Sequence, residues 1–213
     1  MSNQQNTTTE LAKWIDKKGN EQTVTIQNYL DLLKKKDDGK VEIADFIYQR
    51  LFTRYLKPFL YEDATYSSQY KNGFSIMANS CLLIETIQSF KNGWGDSDKK
   101  SPEAFQQFLK TESNFSDFIN GINLYSDIRC GILHQGETKG GWKINRGNKK
   151  DSREPPKPLI DKTTKEINSI AFAKEVEKSL KKYSGELKNA EWDSENWDNF
   201  RTKMRRIIKN CQS

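Results

Sequence analysis

The sequence predicts a mainly α fold, a helical bundle with a small basic β-hairpin insertion near residues 140–168. Three observations carry this. Apolar residues recur at three- and four-residue spacing through most of the chain. One segment, Gly73–Lys91, is apolar nearly all round, as a helix buried in the middle of a bundle must be. The longest lapse in the helical pattern runs from about Lys139 to residue 168, where glycines, prolines and cations gather. The expected organisation is a partly helical N-terminal extension over 1–40 and a helical domain over 41–213. That domain contains the basic insertion at about 139–168 and closes on an amphipathic helix.

In chain order, Thr7–Gly19 carries Leu11, Trp14 and Ile15 and is expected to form a short helix. A second helix is expected over Thr25–Lys36, with Ile26, Tyr29, Leu30 and Leu33 on one face and KKKDDG as its stop. Val41–Lys57 places Ile43, Ile47 and Leu51 on a stripe that Phe46 and Phe52 widen, and Pro58 breaks it. Tyr61–Asn72 reads as a loop or short turn. Gly73–Lys91 follows, with Glu85 as its one acid. That carboxylate either bends to the surface or pairs with a buried cation such as Arg129, because an unpaired buried charge is costly. Asn92–Pro102 is a loop, and Ser101-Pro102-Glu103 opens a helix to about Thr111.

A long helix is expected from about Ser116 to Gln135, with Phe118, Ile122, Tyr125, Ile128 and Ile132 facing inward and Gly136 ending it. Trp142-Lys143-Ile144 is then expected to pair in a hairpin with Leu159-Ile160 or Ile167, around the long proline-containing tip RGNKKDSREPPKP. Ser169–Tyr183 returns to helix. Ser194–Cys211 sets Trp197, Phe200, Met204, Ile207 and Cys211 against a face of Arg201, Lys203, Arg205, Arg206 and Lys209. The last set reads as a solvated surface rather than a nucleic-acid track, and Trp94 and Trp142 as packing residues.

Composition narrows the function. Hydrophobic residues are 34% of the chain and aromatic residues 11%, so the core is expected to be modest and rich in Phe, Tyr and Trp. No apolar run approaches the roughly 20 residues that span a bilayer, and MSNQQNTTTE has no signal-peptide apolar region. Three scattered cysteines, Cys81, Cys130 and Cys211, suit a reducing cytoplasm better than a disulfide framework, and no Cys/His cluster suggests zinc. GETKGG lacks the spacing of a phosphate-cradling loop. The net charge of +6 is local: nine Lys/Arg stand against three Asp/Glu between Lys139 and Lys165. Such an excess suggests a polyanionic partner, with nucleic acid first.

Beside it stands Asp117–Trp142, which holds the only histidine, His134, five positions after Arg129. Histidine is the commonest acid–base group at neutral pH. Five residues of α-helix amount to about 140° of rotation and about 7.5 Å of rise. The two side chains thus leave different stripes and meet only by leaning into a shared cleft. Cys130 and Gly131 between them are small enough to admit another backbone.

Arg129-Cys130-Gly131-Ile132-Leu133-His134 resembles the R-x4-6-H signature of the HEPN superfamily, late in a helical bundle as in that family. The resemblance covers about Val41–Gln135, with Ser169–Tyr183 as a further bundle helix. It implies a metal-independent endoribonuclease without a cofactor. Two copies would pair in a homodimer whose Arg129 and His134 meet at one seam. It further implies that His134 is the general acid or base and that Arg129 binds the scissile phosphate. The products would carry a 2′,3′-cyclic phosphate and a 5′-hydroxyl. A toxin or antiviral-defence effector restrained by a regulatory protein partner fits the same family.

Cys130 departs from the pattern, since catalytic members often carry a polar residue directly after the arginine. Asp127, Glu85 and Cys130 are candidate supports for the pair, and Gln135, Lys139, Lys143 and Arg146 are candidate substrate contacts. Other readings stay open: His134 as a cap of helix-end carbonyls, Arg129 as a bundle cation paired to Asp127 or Glu85, and the whole chain as a non-catalytic HEPN module or an architectural subunit.

Overall fold

The computed structural model describes residues 7–59, 72–146 and 158–212. It is mainly helical with two small sheets. Contacts group the described residues into two compact units, drawn from Met1–Arg54, Ser89–Ser97 and Leu180–Ser213, and from Tyr55–Gln88 and Asp98–Ser179.

The first unit opens on a β-hairpin, not on the helix expected over Thr7–Gly19. Strand β1 (Glu10–Ile15) pairs antiparallel with β2 (Glu21–Thr25), setting Lys13 opposite Thr23 and Trp14 opposite Gln22. The turn decides it. One oxygen of Asp16 accepts from the backbone N–H of Lys18 (2.8 Å) and of Asn20 (2.9 Å), and Gly19 takes φ +84°. Thr23, Val24 and Thr25 then give β2 the β-branched residues that favour a strand. Leu11, Trp14 and Ile15 do sit at helical spacing, but three residues are too short a series to outweigh this turn.

Thr25 links the hairpin to α1 (Ile26–Lys34) through a capping box: its hydroxyl accepts from the Asn28 N–H, and Asn28 Oδ1 accepts from the Thr25 N–H. Helix α2 (Lys40–Tyr55) buries Ile43, Phe46, Ile47 and Leu51, as its stripe predicts. The core of this unit is aromatic. Tyr29–Phe46, Phe90–Phe200 and Trp197–Phe200 approach with ring centres 6.1, 5.6 and 5.3 Å apart.

In the second unit, α3 (Gly73–Lys91) buries Ile76, Met77, Cys81, Leu83, Ile84 and Ile87. Helix α4 (Ser101–Thr111) buries Phe105 and Phe108. Phe108, Phe115, Phe118 and Phe172 form an edge-to-face cluster with ring centres 4.9 to 5.8 Å apart. The single helix expected over Ser116–Gln135 is broken. A 3-10 turn (Ser113–Phe118) is followed by a stretch containing Gly121 at φ +101°, which no helix accommodates. A π-helical turn (Leu124–Arg129) then leads into α5 (Cys130–Gln135), and Gly136 ends it at φ +69°. Asn123 restarts the helix, its side chain accepting from the Ser126 N–H at 3.0 Å. Phe118, Ile122 and Ile128 are buried all the same, while Tyr125 and Ile132 of the expected inward face are half-buried.

The insertion is a three-stranded sheet rather than one hairpin. Strands β3 (Lys143–Asn145), β4 (Ile160–Asp161) and β5 (Glu166–Asn168) lie in the order β3-β5-β4, β5 running parallel to β3 and antiparallel to β4. Ile144 therefore pairs with Ile167, and only β4–β5 is a hairpin, with the N–H groups of Thr163 and Thr164 donating to Asp161 Oδ1 at its turn. Parallel pairing needs a crossover of about a dozen residues, and the stretch between β3 and β5 supplies it. Most of the expected tip, residues 147–157, lies outside the described residues, as do residues 60–71 of the expected Tyr61–Asn72 loop. Helix α6 (Ser169–Asn189) starts where expected and runs six residues beyond Tyr183, and α7 (Glu195–Gln212) buries Trp197, Phe200 and Met204. No helix among the described residues is long and apolar enough to cross a membrane.

Candidate active site

All the residues that gather around Arg129 belong to the second unit. The π turn sets them up. The Cys130 N–H reaches back five residues to the Tyr125 carbonyl instead of the usual four, and such single wide turns often mark functional positions. Arg129 thereby faces α3, where Glu85 takes it. Glu85 Oε1 accepts from Arg129 Nε at 2.7 Å, and Oε2 lies 3.4 Å from Nη2. The carboxylate side chain is 6% exposed and the guanidinium side chain 15%. Glu85 thus pairs with Arg129 and does not bend to the surface. Glu85 Oε2 also accepts from the Ser101 hydroxyl at 2.7 Å.

The remaining end of the guanidinium is turned to the histidine: Arg129 Nη1 is 3.2 Å from His134 Nε2. A guanidinium nitrogen only donates. For this contact to be a hydrogen bond Nε2 must accept, which in the neutral ring places the proton on Nδ1. The imidazole lies in the exposed last turn of α5. Ser101, Glu85, Arg129 and His134 form one continuous chain of hydrogen bonds from a buried hydroxyl to an exposed imidazole. Burial works against the Arg129 charge. The Glu85 hydrogen bond and negative charge, with a contribution from Cys130, outweigh it and hold the guanidinium pKa above its ordinary value. Tyr125 lies under the cation, its ring centre 5.8 Å from the guanidinium carbon. Hydrogen bonding to the Cys130 side chain, then burial, push the Tyr125 phenol up.

Asp127 does not join this group. Its Oδ2 accepts from the Asn123 N–H (3.1 Å) and its Oδ1 from the Ser126 hydroxyl (2.7 Å), so the side chain serves the start of the helix. Its carbonyl accepts from the Lys139 N–H at 2.8 Å. That bond folds residues 136–139 back over Gly131, where a β-carbon would stand 2.5 Å from the Glu137 carbonyl oxygen. The close backbone approach expected at Gly131 is thus made by the chain's own next loop.

Gln135 and Lys143 are exposed, while Lys139 and Arg146 are half-buried. Thr138 donates to the Trp142 carbonyl, and Trp142 itself is 5% exposed, a packing residue. Of the insertion's cations, Lys149, Lys150, Arg153 and Lys157 lie outside the described residues. Ser101 and Tyr125 are members of the cluster that sequence alone does not pick out. The first looks like a helix-starting serine and the second like an inward aromatic. Only the fold reveals that Ser101 faces Glu85 and that Tyr125 touches the cation. No known protein family matches the chain. Neither a curated protein nor a solved structure matches it.

Proposed function

We propose that the chain is a metal-independent endoribonuclease of HEPN type that works as a homodimer, with Arg129 and His134 of each copy contributing to a shared site. The observation that carries this reading is the 3.2 Å approach of Arg129 Nη1 to an exposed His134 Nε2, with the guanidinium held from behind by Glu85. A fixed cation beside an imidazole can supply the charge stabilisation and proton transfer that metal-free phosphodiester cleavage uses.

The arrangement gives an order of events. In the free protein the Nε2 lone pair is occupied by Arg129. When a phosphate takes the guanidinium Nη1, Nε2 becomes free to accept the 2′-hydroxyl proton. The 2′-oxygen attacks phosphorus, the bond from phosphorus to the 5′-oxygen breaks, and the partner subunit's His134, as imidazolium, protonates that leaving oxygen. The products are a 2′,3′-cyclic phosphate and a 5′-hydroxyl. Arg129 neutralises the extra negative charge of the pentacoordinate state, and Glu85 with Ser101 keeps it aimed. The local excess of Lys and Arg in the 139–165 sequence supports an attraction to the RNA backbone. Within this reading the protein is a toxin or antiviral-defence effector restrained by a protein partner.

The test is incubation of the purified protein with RNA in EDTA. Cleavage to cyclic-phosphate ends is expected, and either His134→Ala or Arg129→Ala should reduce it at least a hundredfold. Full activity in both variants refutes the assignment.

A second reading draws on the Glu85–Arg129 pair itself. A guanidinium only 15% exposed and bound by a buried carboxylate also serves to fasten α3 to the motif. In that case the chain is a non-catalytic module that binds RNA, nucleotide or a protein. RNA binding would then weaken with salt, without cleavage and without sensitivity to His134.

A further inference from the structure

Beside Tyr125 lies an open groove of about 230 Å³ between α4 and the segment that links the 3-10 turn to the π turn. Phe105, Leu109, Phe118, Ile122 and Tyr125 line it, and Gln106 and Asn123 stand among its lining residues. Ile119 is 55% exposed and also lines the groove. The groove is smaller than the roughly 300 Å³ at the lower end of drug-sized ligand sites. Its volume leaves room for one small ring system.

Its position is the telling feature. Tyr125 lines the groove, and its ring centre is 5.8 Å from the Arg129 guanidinium carbon. Tyr125 is thus shared between a cation that takes a phosphate and a groove whose lining is part apolar and part polar. In a ribonucleotide, the base is separated from its phosphate by a single sugar. Aromatic and apolar surfaces receive the faces of nucleobases, whatever the base. The exposed Gln106 offers both a donor and an acceptor to a base edge.

We propose that this groove holds one nucleobase of the RNA strand whose phosphate Arg129 engages. The groove therefore sets the register of the strand at the site. This rests on the reading of Arg129 as a phosphate-binding residue.

The test compares adenosine 5′-monophosphate with ribose 5-phosphate, by calorimetry, on the full-length His134→Ala protein and on the same protein carrying Ile119→Glu. The base should raise affinity about tenfold or more over the sugar phosphate. Ile119→Glu should erase that difference while leaving ribose 5-phosphate binding unchanged. Ile119 is exposed, so the substitution leaves the thermal midpoint within a degree or two, which is measured alongside. In the protein with His134 intact, Ile119→Glu should raise KM for RNA at least fivefold with kcat held.

Equal or undetectable binding of the two phosphates, or a base preference that survives Ile119→Glu, overturns the groove assignment. The two proposals fail separately. RNA cleavage that depends on His134, without any base preference, removes the groove and leaves the nuclease. A base preference lost in Ile119→Glu, in a protein that cleaves no RNA, removes the nuclease and leaves the groove.

Discussion

Glu85 and Arg129 stand 44 residues apart in the chain and meet through a carboxylate oxygen 2.7 Å from Nε. The Ser101 hydroxyl occupies the other oxygen of the same carboxylate. The contact holds the motif helix to α3 and leaves Nη1 as the part of the guanidinium that faces the imidazole.

Because both side chains are largely buried, removing one member strands the other. Glu85→Ala is expected to destabilise the protein by about 3 kcal/mol, the lower end for a broken buried pair, since Arg129 retains a path to water. Urea denaturation at constant m-value measures it. A loss under 1 kcal/mol would mean that the pair adds no more than a surface contact.

Two glycines in helices should respond to alanine with opposite signs. At Gly131 a β-carbon would lie 2.5 Å from the Glu137 carbonyl oxygen and 3.2 Å from Thr138 Cα, both backbone atoms. Gly131→Ala should therefore cost about 1–3 kcal/mol and displace the 136–139 loop. At Gly185, inside α6, nothing lies within 4 Å, so Gly185→Ala should stabilise by about 0.5–1 kcal/mol. Thermal melts of the two variants side by side give the comparison, and equal shifts would contradict it.

A single histidine makes its tautomer directly readable. In nitrogen-15 spectra of the neutral ring, Nδ1 should carry the proton and Nε2 should not, because Arg129 Nη1 donates to Nε2. Arg129→Met should move the population toward the tautomer protonated at Nε2. The same spectrum in both proteins would show that the contact does not persist in solution.

The cysteines should separate by alkylation. Burial, reinforced by the Glu85 charge, pushes the Cys81 thiol up, and Cys211 is exposed. Iodoacetamide at neutral pH should label Cys211 within minutes and Cys81 only after denaturation, because the thiolate is the reacting form. Mass spectrometry of tryptic peptides resolves the two sites. Labelling of Cys81 in the folded protein would mean that α3 opens.

Much of this arrangement can be read in the sequence where one strong pattern acts alone. Gly73–Lys91 has the ends its apolar run implies, Ser101-Pro102-Glu103 starts a helix, and Gly136 stops one. The pattern misleads where a side chain binds backbone. Asp16 closing a turn makes strands of residues that fall at helical spacing, and Asn123 restarts a helix after Gly121 has ended it. Strand direction in the insertion is set by which distant segment returns alongside β3, and no local spacing records that. The approach of Arg129 to His134 is legible only as a motif. Pairing with Arg129 is one of the two fates the sequence leaves open for Glu85, while Ser101 and Tyr125 depend on how α4 and the π turn are placed.

The wide turn at Tyr125–Cys130 carries a consequence for how this region tolerates change in length. It contains one residue more than an ordinary turn of helix, and each residue of α-helix rotates the chain by about 100°. Deleting any one of Leu124–Ile128 removes the extra residue and lets the backbone close to regular winding, so Arg129 keeps nearly the same heading toward its carboxylate. The same deletion inside the regular winding of α3 would turn every following side chain by about 100°. A one-codon deletion in the wide turn should therefore harm the protein less than one in α3.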